Sequence, residues 1–134
     1  MKTYFTVSEA NAMLPSVKSD LEKLQQIKRR FRDKHTELQQ LKGAASHSHL
    51  PRGTDPCFTL ECEMDFLQIE ANALIKSFEL KHVQLKDIDT GLVDFPALID
   101  GDEVLLCWRQ GEERIMHYHS PEDGFAGRRK FTGE

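Results

Sequence analysis

Two histidines separated by one residue, His117 and His119, and two aspartates with the same separation, Asp87 and Asp89, are the side chains here best spaced to hold a metal ion. On a β-strand, residues two apart face the same way with α carbons roughly 6–7 Å apart, so each pair offers its ligand atoms to one side. Imidazole with carboxylate suits Zn, Mn or Fe, and a coordination position left open lets a bound water act as a nucleophile. Glu112, in a turn just before the histidines, is the candidate proton acceptor for such a reaction. No HExxH spacing sharpens the pattern, and alternate histidines are also what a solvent-facing strand carries. Calcium is disfavoured, because Asp87-Ile88-Asp89-Thr90-Gly91 lacks the rest of an EF-hand loop.

Asp94, Trp108, Glu112 and Arg128 make a second constellation, a polar network that is expected either to bind a ligand or to hold the segment together. Arg128, Arg129 and Lys130 follow a Gly124-Phe125-Ala126-Gly127 bend whose amides suit an anion. The plainer reading, and the preferred one, pairs Arg128 with Asp94 or Asp89 and ties the tail to a sheet. Trp108 alternates in register with Val104 and Leu106, which points to core packing rather than to stacking on a ligand. Covalent catalysis has little support: Cys107 lies in an apolar run and no serine sits in a nucleophile elbow. His47 and His49, in a stretch of Gly, Ser and Pro, are expected to be solvated.

Elements must exist to position these side chains. Thr6-Val7-Ser8-Glu9 is a capping box that opens a helix, and Pro15 either starts its main segment or kinks it near Leu14. Leu14, Val17, Leu21, Leu24, Phe31 and Leu38 recur at spacings of three and four, with Lys28 and His35 on the same seam and Ile27 and Leu41 widening it. The spacing predicts a coiled-coil-like helix to about Lys42. A mobile loop is expected over 43–54. Asp55-Pro56 then starts a second helix with two apolar stripes: Leu60, Met64, Leu67, Ala71, Leu74 and Phe78 form one, and Cys62, Phe66, Ile69, Ala73 and Leu80 the other. Two stripes require two partners, the first helix and either the sheet or a second copy; the second copy makes a homodimer through helix 2.

After Leu80 the period changes from helical to alternating. Val83 and Leu85, Val93 and Phe95, and Val104, Leu106 and Trp108 mark strands, and Asp100-Gly101-Asp102 and Gln110-Gly111-Glu112 mark turns. Residues 103–109 and 114–119 are expected to form a hairpin within a sheet of three or four strands. Ser120 to Glu134, with Gly124, Gly127 and Gly133, reads as an irregular glycine-rich tail. The fold class is therefore α+β, a long antiparallel helical hairpin followed by a small antiparallel sheet. One domain over 1–134 is expected, with residues 1–80 helical and 81–134 forming the β subdomain and tail.

Composition narrows the function classes. A chain of 134 residues with net charge −4 is a poor nucleic-acid coat. Lys28, Arg29, Arg30, Arg32 and Lys34 are interleaved with Asp33 and Glu37, so nucleic-acid binding through the first helix is a minor option. No apolar run approaches the ~20 residues that cross a bilayer, so no membrane partner is expected. Three cysteines, Cys57, Cys62 and Cys107, without CxxC spacing fit a reducing, cytoplasmic setting.

Several segments taken together are specific: Lys86-Asp87 followed by Asp89, Gly91-Leu92-Val93-Asp94-Phe95-Pro96, Leu106-Cys107-Trp108, Gly111-Glu112, His119, and Gly124-Phe125-Ala126-Gly127-Arg128. In these the chain resembles the uncharacterised prokaryotic family catalogued as domain of unknown function 2203, along nearly its whole length. Lys130 stands where that family's pattern has proline, and Tyr118 where tryptophan is frequent. The resemblance implies a domain extent and carries no activity. The reading from residues is a small cytoplasmic accessory or interaction protein with a helical assembly element and a polar ligand- or ion-binding site on the C-terminal sheet. A metal-dependent enzyme, a hydrolase in the first instance, is the alternative.

Overall fold

A computed structural model describes residues 3–44 and 55–131. His47 and His49 lie outside the described residues. The described residues form two long helices, α1 (Val7–Ala44) and α2 (Pro56–Leu80), then five strands: β1 (Gln84–Asp87), β2 (Leu92–Ile99), β3 (Asp102–Arg109), β4 (His117–His119) and β5 (Arg129–Lys130). The chain is α+β, as expected. Two compact units divide it, one of Met1–Glu22 with Ile75–Glu134, the other of Lys23–Leu74.

Both helix starts are the capped ones the sequence specifies. Thr6 Oγ1 accepts the Glu9 N–H at 3.0 Å while Glu9 Oε1 accepts the Thr6 N–H at 2.8 Å, the reciprocal pair of a capping box. Asp55 Oδ1 accepts the Cys57 N–H at 2.9 Å, and Pro56 occupies the first helical position. Pro15 lies inside a continuous α1, which runs two residues past the predicted end at Lys42.

Within Lys23–Leu74 the helices run antiparallel. Leu38, Leu60 and Met64 are buried together, with Phe31, Leu41 and Cys57 packed against them, and Lys34 pairs with Glu63 at 2.9 Å. The first stripe of α2 is thus consumed. In the second, Phe66 and Ile69 are 68% and 63% exposed.

In the other unit Lys81 Nζ donates to Ser16 Oγ at 2.6 Å and Ser77 Oγ to Asp20 at 3.1 Å, which again sets the helices antiparallel. Ala10, Leu14, Val17 and Leu21 of α1 and Phe78 of α2 are buried there, and Leu80 is exposed. The sheet follows chain order, β1-β2-β3-β4-β5, with every pair antiparallel. One strand more is present than the highest number predicted, because Arg129–Lys130, read as irregular tail, pairs with β4. Asp100 and Gly101, with φ of 52° and 85°, make the two-residue turn between β2 and β3, and this fixes their register from Ile99↔Asp102 to Leu92↔Arg109.

Strand alternation gives the sheet two different faces. Val93 with Trp108, Phe95 with Leu106 and Ala97 with Val104 form the inner one: Phe5 meets Phe95 edge-on at 5.5 Å, and Lys18 lies over Trp108. Trp108 is therefore core, its Nε1–H donating to the Glu112 carbonyl at 3.0 Å. Asp94, Pro96, Leu105, Cys107 and His119 belong to the outer face.

Gly91, between β1 and β2, has φ of 73°, and a Cβ there would lie 2.5 Å from the Gln110 side chain and 3.1 Å from Leu21. Gly101 also has positive φ but open space around it. Gly91→Ala is expected to cost about 2–4 kcal/mol, left-handed strain plus a clash, and Gly101→Ala about 1–2 kcal/mol, strain alone. Urea unfolding of both variants checks this; equal losses would show that the crowding at Gly91 relaxes freely.

A candidate metal centre on the outer face of the sheet

The register set by the Asp100-Gly101 turn places Asp94 directly opposite Cys107. On the other side of β3, Leu105 pairs with His119, so His119 sits one step diagonally from Cys107 on the same face. All three are buried, Cys107 at 1% exposure and Asp94 and His119 at 3%. One ligand atom from each lies within 4.8 Å of the others. Tetrahedral zinc with ligands at 2.0–2.3 Å separates them by roughly 3.4–3.7 Å, so no pair of donor atoms has more than about 1.4 Å to close.

His119 is oriented on both edges. Its Nδ1 lies 2.8 Å from the Ser120 carbonyl oxygen, which only accepts, so Nδ1 carries a hydrogen and donates it. Nε2 is then the free ligand position, 3.0 Å from Asp94 Oδ2. Since Nε2 and a carboxylate oxygen are both acceptors, one proton must occupy the gap between them. A backbone carbonyl fixing the distal nitrogen is the usual second support of a metal-bound imidazole.

Burial pushes the Asp94 carboxyl above its ordinary range, with His119, Cys107 and Lys86 pulling the other way. Burial, with Asp94 beside it, pushes the Cys107 thiol up to about 11, the nearby Arg128 opposing. Cys107 is thus a neutral thiol near pH 7, the opposite of an activated nucleophile. Thiol, imidazole and carboxyl together are a donor set that a divalent transition metal would bind in exchange for protons.

A second cluster lies beside the first on β3, β4 and the tail. Arg128 grips the Glu112 carboxylate through Nη1 at 3.1 Å and Nη2 at 2.6 Å, and Glu112 Oε1 also accepts the Arg109 N–H at 2.8 Å. Burial raises the Glu112 carboxyl, but Arg128, the Arg109 amide and His117 outweigh it and hold it below the usual carboxylate range. Such a carboxylate is a weak proton acceptor. Arg128 is stacked over Phe125, its guanidinium 4.5 Å from the ring centroid. Its partner is Glu112, not Asp94 or Asp89.

The remaining sequence candidates fall elsewhere. His117 and His119 share a face, but His117 Nδ1 approaches Glu112 at 3.5 Å while His119 takes Asp94, so the two rings engage different carboxylates. Asp87 accepts the Thr90 amide at 2.8 Å in the turn after β1, and Asp89 is exposed on the same turn. Among the described residues the metal-competent group is Asp94, Cys107 and His119. Sequence reasoning put Cys107 in the core and Asp94 in a polar network that either binds a ligand or holds the segment together, without bringing the two to one point. The signal for both was the two-residue turn, since counting outward from Asp100-Gly101 pairs residue 94 with 107.

A family model described as "Uncharacterized conserved protein (DUF2203)" matches residues 3–131. No curated protein and no solved structure matches the chain.

Proposed function

The chain belongs to the uncharacterised conserved family DUF2203, and on that premise we propose that it is a metal-binding protein whose ion is held by Asp94, Cys107 and His119. The observation that carries the reading is the burial, on three adjacent strands, of three different ligand types whose donor atoms lie within 4.8 Å of one another. Buried polar side chains are normally retained for a structural pairing or for function. An Asp–His pair alone would satisfy the first; a thiol hydrogen-bonded to the same carboxylate adds a third metal-ligand type at that point and favours the second. Sulfur with nitrogen and oxygen ranks zinc first, with iron(II) and manganese behind. Cysteine stays reduced in the cytoplasm, the compartment that suits this centre. The test is elemental analysis and a zinc titration of protein purified without a histidine tag. One equivalent bound is expected, and no binding above background rejects the proposal.

The helical part supports an assembly role. Cys62, Phe66, Ile69 and Ala73 recur at spacings of four, three and four on the side of α2 away from the buried stripe of Leu60, Met64 and Leu67. A second copy laid along this face makes the protein a homodimer. Phe66→Glu with Ile69→Glu is expected to convert it to a monomer by light scattering, with helicity unchanged; a wild-type monomer at high concentration rules the dimer out.

A further inference from the structure

The three ligands come from the sheet, and a cavity of about 210 Å³ opens against all three of them. Its walls also include Lys86, Pro121, Gly124 and Phe125. At ~30 Å³ per water in the liquid, this is room for about seven waters or a ligand of similar size. Lys86 reaches it for a reason visible in the strand pairing. Gln84 pairs with Asp94 and Leu85 with Val93, but Asp87 pairs with Leu92, so Lys86 is the extra residue of a β-bulge. Gln84 shares the face of Asp94, so Lys86, two residues on, lies on that outer face by strand alternation and lines the cavity beside the ligand cluster. Its charge is felt at the Asp94 carboxyl.

Charge counting gives the chemistry. A divalent ion with one carboxylate and one thiolate is neutral, and Arg128 is matched by Glu112. Lys86 is left as one positive charge facing a cavity with an apolar side at Phe125 and Pro121. Three protein ligands leave a fourth tetrahedral position, the arrangement of metal sites that take up an exogenous ligand. We infer that this fourth position accepts a small carboxylate monoanion, its oxygen on the metal and its charge matched by Lys86. The inference rests on the metal reading of the same site.

Cobalt(II)-loaded protein titrated with acetate tests it, with acetamide as the uncharged control and the visible absorption of the ion as readout. Acetate is expected to change the spectrum saturably and acetamide to leave it unchanged. Lys86→Met should weaken acetate binding by about tenfold or more, the effect of one well-placed charge, while Lys86→Arg retains it, each variant being titrated at saturating cobalt. A wild-type spectrum indifferent to acetate, an equal response to acetamide, or equal acetate affinity in Lys86→Met overturns the inference while leaving the metal site standing. Failure of cobalt to bind removes both, so the two failures are distinguishable.

Discussion

His119→Ala abolishes stoichiometric zinc binding and destabilises the metal-free protein by about 2–4 kcal/mol, because one side chain serves two purposes there. Nε2 is a proposed ligand, and in the absence of metal it is also the partner of Asp94, whose side chain is 4% exposed. Removing one member of a buried pair leaves the other with less to compensate its desolvation, here only the Cys107 thiol and the Lys86 charge. Protonation of Asp94 limits the loss, since burial already favours its neutral form. Cys107→Ser separates the two roles. A serine hydroxyl keeps the size and stays protonated where a thiol would ionise on the metal. Its metal-free stability should lie within ~1 kcal/mol of wild type while zinc affinity falls more than about 100-fold, beyond the 10- to 100-fold typical of losing an outer-shell support. Competition with a chromophoric chelator measures affinity, and urea unfolding with and without zinc measures linkage. Wild type should gain about 2.7 kcal/mol at a free zinc concentration 100 times Kd. An equal zinc-induced gain in all three proteins would place the ion elsewhere.

The parts of this molecule that were legible in sequence are those written in local chemistry. Thr6 and Glu9, Asp55 and Pro56, and Asp100-Gly101 each specify a cap or turn through residues three or fewer apart, and each is found as expected. The alternation of Val104, Leu106 and Trp108 assigned the inner face correctly for the same reason. The site itself is non-local. Asp94, Cys107 and His119 meet through strand register, and spacing along one strand, which singled out His117 with His119 and Asp87 with Asp89, cannot report on neighbours across a ladder. β5 was missed because a two-residue strand has no period; only its pairing with His117 and Tyr118 identifies it. Arg128 was read as pairing with Asp94 or Asp89 and instead takes Glu112, because the choice of carboxylate depended on the Glu112 side chain folding back over its own turn.

That tie is the basis of the second large effect. Arg128→Met should lower stability at pH 7 by about 2–4 kcal/mol, because the variant leaves Glu112 with the Arg109 amide and the marginal His117 contact in a setting where it is 21% exposed. Phe125 would lose its guanidinium as well, worth about 0.5–1 kcal/mol. The pH dependence identifies the cause. A carboxyl held below its ordinary value in the folded protein contributes stability in full above its unfolded pKa of about 4.3, and that contribution is lost as pH falls through the depressed folded value. Wild type should therefore lose stability progressively below about pH 5, and Arg128→Met, lacking the partner that depresses Glu112, should show a flatter curve in that window. Asp94 cannot produce this slope: its folded value is raised, so its contribution is present at low pH and declines as pH rises. Unfolding midpoints between pH 3 and 7 for both proteins decide the matter. Parallel curves would mean that Arg128 acts through packing on Phe125 rather than through the ion pair. Retained zinc stoichiometry in the destabilised variant would mark Arg128 as positioning the tail over the centre rather than forming part of it.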